Sequence, residues 1–182
     1  MSQSTVFWIH LFLGYVAWLL LFGAYAWPKL KTMEWVESQR AIATLHSFRF
    51  FGLVFILPGV IGPNLPARFT EFAAYGDFAT GILAILALVT VRMRPLFSSF
   101  VVAFNVVGAA DIIIDYYHGN QIGLAAVAGQ LGATYWIPII YVPALMITHV
   151  VAFYLLVRPQ ATASRVLASY PAANLREKTS LG

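Results

Sequence analysis

Apolar residues in this chain do not alternate with polar ones. They run in five long blocks divided by short polar breaks, covering roughly 6–27, 41–62, 72–91, 96–117 and 132–157. Each block has the ~20 residues that a membrane-spanning α-helix needs. Pro28 closes the first block, Pro63 and Pro66 follow the second, and Arg92-Met93-Arg94-Pro95 makes a tight hairpin between the third and fourth. Helix-breaking pairs interrupt two blocks: Pro58-Gly59 in the second, and Pro138 with Pro143 in the fifth. Such breaks free carbonyls that a cavity can use. The stretch 119–131 is rich in Gly and Ala, too polar and too short to span, and reads as a loop or a surface-lying helix. The pattern predicts an all-α, polytopic bundle of five transmembrane helices over 1–158. A polar tail follows over 159–182, with a short amphipathic turn around Arg165–Tyr170. No internal repeat is visible, which argues against an inverted-repeat transporter plan. The first block has no Lys or Arg before Lys29, exceeds a signal-peptide apolar region in length, and has Trp27 where a small-residue cleavage site would fall; it reads as a retained helix.

Composition agrees with a lipid environment: 60% of residues are hydrophobic and 10% charged. There is no cysteine, which excludes disulfides, zinc thiolate sites and iron–sulfur clusters. The formal charge of +4 calls for no nucleic-acid partner, because the basic residues sit at block ends, where they orient a membrane protein. One side carries Lys29, Lys31, Arg40, Arg92, Arg94, Arg158, Arg165, Arg176 and Lys178; the other carries Arg68 alone. This asymmetry predicts a cytoplasmic C-terminus, an external N-terminus and residence in a bacterial inner membrane. Trp8, Trp27, Trp35, Tyr116, Tyr117, Tyr135 and Trp136 fall near the two interfaces, as aromatic belts do.

Against this background the interior charges stand out. Asp77, Asp111, Asp115 and Arg49 interrupt apolar runs, joined by His10, His46 and His149. A charge at the bilayer centre costs at least ~2.5–3.5 kcal/mol, so such residues face the bundle interior, pair, or line a polar cavity. In the fourth block Asn105, Gly108, Asp111, Asp115 and His118 recur at helical spacing and share one face. Arg49 lies ~12 Å in from the cytoplasmic side and Asp111 ~9 Å in from the other, at 1.5 Å per residue. Across a ~30 Å core this leaves ~9 Å between them, a gap that an extended arginine and a kinked helix bridge. Asp77 lies at the depth of Asp111 and Asp115. Three carboxylates at one level require protons, a cation or Arg49 among them. The expected ligand-binding set is Arg49, Asp77, Asn105, Asp111, Asp115 and His118.

The histidines also pair by depth. His46 and His149 lie in the cytoplasmic half, and His10 and His118 near the outer face. Two stacked histidine pairs are the layout of a b-type haem protein, with His46 and His149 as axial ligands and Arg49 holding a propionate; the alternative is four ordinary histidines. A metal site of His10, His118 and Asp115 is a further alternative. Tyr15, Trp18 and Tyr25 on the first helix line an apolar pocket or pack. Gly76, Thr80, Ala84 and Ala87 on the third make a close helix contact or a dimer face.

The run Arg49-Phe50-Phe51-Gly52-Leu53-Val54-Phe55 with Pro58-Gly59, followed by Tyr75-Gly76-Asp77 opening a Gly, Ala and Leu run, resembles the DoxX-like family of small bacterial membrane proteins. There an Arg-x-x-Gly-Leu-x-Phe helix precedes a helix that begins with an acidic residue. The resemblance covers about residues 46–90 and implies a compact four-helix core, with some members linked to quinone or thiol redox systems. This chain adds a first helix, has no cysteine and places His46 just before the arginine.

Four functions follow as expectations. The first is a buried polar pocket that binds or passes a small molecule, cation or proton. The second is a haem b electron carrier using His46 and His149. The third is an intramembrane enzyme on a lipophilic substrate, with Asp111 or Asp77 as general acid and base. The fourth is a subunit of a homodimer or larger membrane complex, whose charges pair with a partner chain.

Overall fold

A computed structural model describes residues 1–158, and among these the chain is helical throughout, with no strand. Helix α1 spans Gln3–Leu30. It starts where the Ser2 hydroxyl accepts from the Thr5 N–H at 3.1 Å, satisfying one of the unpaired donors of a helix start. Helix α2 runs Trp35–His46 and continues as a 3₁₀ helix over Ser47–Ile56. Helices α3 (Ala67–Val89) and α4 (Arg94–Gln121) form an antiparallel hairpin. A second 3₁₀ segment, Leu124–Thr134, leads into α5 (Ile137–Val157). Among the described residues four helices, α1, α3, α4 and α5, are long and apolar enough to cross a membrane.

The second block differs from its sequence-based outline. It begins earlier, winds as 3₁₀ beyond His46 and stops at Ile56, so 41–62 is not one α-helix and Pro58 and Gly59 lie beyond its end. Proline disfavours the helical region for the residue before it, and Leu57 is extended (φ −75°, ψ 129°). Gly59 then turns the chain at φ +78°, a conformation open to glycine. The 3₁₀ winding also lies close to α3: a Cβ on Gly81 would stand 3.0 Å from the Phe50 nitrogen. The polar tail, with the expected turn near Arg165–Tyr170, lies outside the described residues.

The stretch expected as a loop or surface-lying helix is instead a kinked 3₁₀ cap with Leu124, Ala128, Leu131 and Thr134 buried. It closes one end of the bundle. Gly129 N–H donates to the Gln3 side chain at 3.2 Å, and Gly62 N–H donates to Gln130 O at 2.6 Å, tying α1 and the 57–66 turn to it. At the opposite end Arg158 donates to Lys31 O at 2.6 Å, and Trp35 meets Phe97 edge to face.

Helix α1 is the peripheral element, with Phe12, Leu13, Leu19, Leu20 and Tyr25 exposed. It docks where α5 is irregular. Pro143 has no N–H to give Ile139 O, and α5 opens as a π turn over Ile137–Tyr141. Gly14 faces Ile139 O so closely that a Cβ would collide with it, and Trp18 Nε1 donates to Ile140 O at 2.8 Å. The carbonyl that Pro143 frees, Ile139 O, is thus covered by Gly14 of α1, and Trp18 bonds its neighbour.

The core divides into two parts. Ile42, Ala43, Ala84, Ala87, Phe97, Phe104 and Ala152 pack at the α2 end. Phe7, Leu11, Phe55, Phe69, Leu124 and Leu131 gather beneath the cap. The charged residues lie between them.

Candidate functional site

Arg49 sits on the 3₁₀ segment and is 1% exposed. Its guanidinium is the centre of the site. Nε donates to Asp77 on α3 at 2.6 Å, and Nη2 donates to Asp111 on α4 at 2.5 Å. Nη1 donates to Gly108 O and to His149 Nε2, each at 3.2 Å. One side chain therefore joins α3, α4 and α5 to the segment that carries it. The contact argued from depth alone, Arg49 to Asp111, is present as an ion pair. Removing one member of such a buried pair leaves an uncompensated charge, at a cost of about 3–5 kcal/mol.

Three glycines make room for these groups. A Cβ on Gly52 would overlap the Asp77 carboxylate, and one on Gly76 the Asp111 carboxylate. On Gly108 it would stand 2.6 Å from both Arg49 Nη1 and His149 Nε2. The sequence marks Gly76 as a close helix contact and Gly52 only as part of the Arg49–Phe55 run, and both prove to be sockets for carboxylates. Gly108 was already on the polar face of α4.

Hydrogen-bond roles extend inward from Arg49. A guanidinium only donates, so His149 Nε2 accepts and its proton lies on Nδ1, which donates to Asn105 Oδ1 at 2.9 Å. Asn105 Nδ2 donates to Val101 O at 2.8 Å. Asn105 thus orients a histidine and faces no open space. His46 forms a separate unit. Thr148 Oγ1 donates to Ala144 O at 2.8 Å and accepts from His46 Nε2 at 3.0 Å.

This geometry does not fit a bis-histidine haem. The His46 and His149 rings are 4.1 Å apart, centroid to centroid, in van der Waals contact. A porphyrin plane has no room between them. Both nitrogens of His149 are engaged, and Nε2 of His46 is bound to Thr148. The depth match that suggested haem reflects direct packing of the two imidazole rings. Among the described residues no group of three or more His, Asp or Glu is placed to hold a metal ion. His10 bonds Tyr135 at 3.0 Å. His118 shares its helix face with Asp111 but lies two turns further along, against the edge of Phe72. The structure brings His118 into neither the ligand-binding set nor a metal set.

Beside the charges lies a cavity of about 280 Å³. Arg49, Asp77 and Asp115 supply its charged wall, and Phe7, Phe55, Phe69 and Leu131 are among its apolar lining. Ser4 and Asn120 mark its polar rim near the α1 start and the α4 end. Asp111 stands behind this wall. Its Oδ1, like Oδ1 of Asp115, is buried with no hydrogen-bond partner among the described residues. As acid–base candidates the two named carboxylates are thus unequal: Asp77 reaches the cavity, and Asp111 does not line it. Tyr15 and Tyr116 share a 2.8 Å hydroxyl contact, and Tyr116 lines the same cavity. The sequence placed Tyr116 in an interfacial belt, and nothing in its local pattern marks a long-range partner. Tyr25 points outward, 72% exposed.

The small-residue stripe of α3 is used within the chain: Thr80, Ala84 and Ala87 are fully buried there, so this stripe is no dimer face. Likewise Arg49 pairs with Asp77 and Asp111 inside one chain. A family model described as a domain of unknown function, DUF8737, matches residues 6–157. No curated protein and no solved structure matches the chain.

Proposed function

The chain belongs to the DUF8737 family, whose description carries no activity, and from the site itself we propose an integral membrane protein that binds or passes a small molecule or ion. The observation that carries this is the cavity of about 280 Å³ with Arg49, Asp77 and Asp115 on one wall and aromatic and aliphatic side chains on the others. Concave, mainly apolar sites with a few convergent polar groups are the usual form of small-molecule sites. Burying four ionisable groups in a bundle is expensive unless they serve one another or a guest.

In this reading the chain crosses the membrane five times, with α2 and its 3₁₀ continuation as the irregular crossing. The basic excess of the 28–40 and 90–95 connections places that end in the cytoplasm of a bacterial cell and opens the cavity towards the outside. The likeness of residues 46–90 to the DoxX-like pattern supports the same plan, since its arginine and its acidic residue are the pair Arg49 and Asp77. The ligand enters past Ser4 and Asn120 and reaches Asp115 and Asp77, while Arg49 holds α3, α4 and α5 around it. Asp111 fixes the arginine from behind.

Ala73→Trp tests the proposal by filling the cavity from α3, where Ala73 forms part of the lining. A screen of small amphiphiles for thermal stabilisation of the detergent-purified chain should find compounds that raise the Tm of the wild type and not that of Ala73→Trp. Equal stabilisation of both proteins would refute binding in this cavity.

A further inference from the structure

The cavity's walls narrow the class of guest. Four charged side chains meet at this level: Arg49 against Asp77, Asp111 and Asp115. One cation thus faces three carboxylates. The arginine is fully used, with Nε, Nη1 and Nη2 all engaged inside the protein. Asp77 is 6% exposed and on the cavity wall, and its Oδ1 alone takes part in the arginine pair. Among the described residues Oδ1 of Asp115 is buried on that wall without a partner, and Oδ1 of Asp111 is likewise unpartnered one helical turn behind it.

The remaining walls carry five aromatic rings: Phe7, Trp8, Phe55, Phe69 and Tyr116. An aromatic face attracts a cation through its quadrupole, and more strongly once the cation has left water. These rings offer nothing to replace the hydration shell of a small metal ion, which calls for several oxygen ligands. A bare proton has no use for a space of about 280 Å³. An anionic guest would add to the carboxylate surplus, and a neutral one would leave it unchanged.

We infer that the guest is a hydrophobic organic monocation, an amine or quaternary ammonium compound, whose charge sits against Asp115 and Asp77 and whose apolar body lies among the rings. This rests on the cavity being a binding site at all, and it adds the guest's charge and shape.

A matched pair of probes separates the two claims. Phenyltrimethylammonium and tert-butylbenzene have the same shape and differ in charge. Each is measured by equilibrium dialysis against the full chain in nanodiscs, with empty nanodiscs as the blank and phenylacetate as the anionic control. The expected result is binding of the cation about tenfold or more tightly than the neutral isostere, with phenylacetate weakest. Asp115→Asn should shrink the gap between cation and isostere severalfold without weakening the isostere, and Asp115→Glu should keep most of it. Among the described residues the Asp115 side chain makes no hydrogen bond, so its replacement leaves the Arg49 network intact. Equal binding of cation and isostere, or a gap that survives Asp115→Asn, overturns the monocation and leaves the cavity standing. Binding of none of the three above the blank overturns both.

Discussion

The two halves of this bundle are built from similar residues and packed to different ends. At the α2 end Ala43, Ala84, Ala87, Phe97, Val101, Phe104 and Ala152 are all at 0% exposure, and small side chains on one helix meet large ones on the next. Beneath the cap, Phe7, Leu11, Phe55, Phe69 and Leu124 surround a cavity that they do not fill. The first half is closed by close-approaching helices, the usual means of association where lipid removes the hydrophobic drive between them. In the second half α1 and the 3₁₀ cap stand off the α3–α4 hairpin. The lesson is one of division: the dry half holds the helices in register, and the open half can keep unfilled space because it is not needed for that. The Arg49 cluster is the boundary and belongs to both.

Breaking the boundary should have the largest effect. Arg49→Met strands Asp77 and Asp111 in a buried site and should cost about 3–5 kcal/mol in a denaturant titration of the detergent-solubilised protein. Adding Asp77→Asn and Asp111→Asn to that variant removes the stranded charges and should restore a good part of the loss. If the triple variant is no more stable than Arg49→Met, the stranded-charge explanation is wrong.

Enlarging a residue tests the two halves against each other. Ala84→Leu forces three extra carbons into the closed half and should destabilise by about 1–3 kcal/mol. Ala73→Leu on the same helix meets the cavity and should change stability by less than about 1 kcal/mol while reducing guest binding. Equal thermal shifts for the two would erase the distinction. The smallest effect should come from Gln39, which is fully buried in the closed half. Its Nε2 donates to Ala152 O at 3.1 Å, but its Oε1 has no partner among the described residues. Gln39→Met gives up one modest hydrogen bond and removes one unmet acceptor, so the net change should stay within about 1 kcal/mol of zero.

Much of this was legible in the sequence because lipid imposes simple rules. The apolar blocks gave the helices, and the helical spacing of Asn105, Gly108, Asp111 and Asp115 gave the inward face of α4. Depth along each helix was enough to pair Arg49 with Asp111. What depth cannot supply is direction about the helix axis. His46 and His149 share a level, and only packing shows that their rings touch, with no space between them. His118 is level with the cavity, which Tyr116, Gly119 and Asn120 line, but it leaves α4 on the Asp111 side and lies against Phe72 instead. The 3₁₀ cap was hidden for another reason: its Gly and Ala residues have little periodicity, and its structure depends on α1 and the 57–66 turn closing over it. The end of the second helix was recoverable, because Pro58 acts on Leu57 through local sterics alone.

The chain has no cysteine, so single-cysteine variants report on the central contrast without background. Ala73→Cys and Ala84→Cys lie on the same helix, three turns apart, one on the cavity and one in the closed half. Each is treated in intact cells with a small membrane-impermeant thiol reagent, and the labelled fraction is read by mass spectrometry. The account predicts that Ala73→Cys reacts from the outside, that a bound guest protects it, and that Ala84→Cys stays unlabelled. Labelling of Ala84→Cys as fast as Ala73→Cys, or no labelling of Ala73→Cys from either side of the membrane, would contradict it.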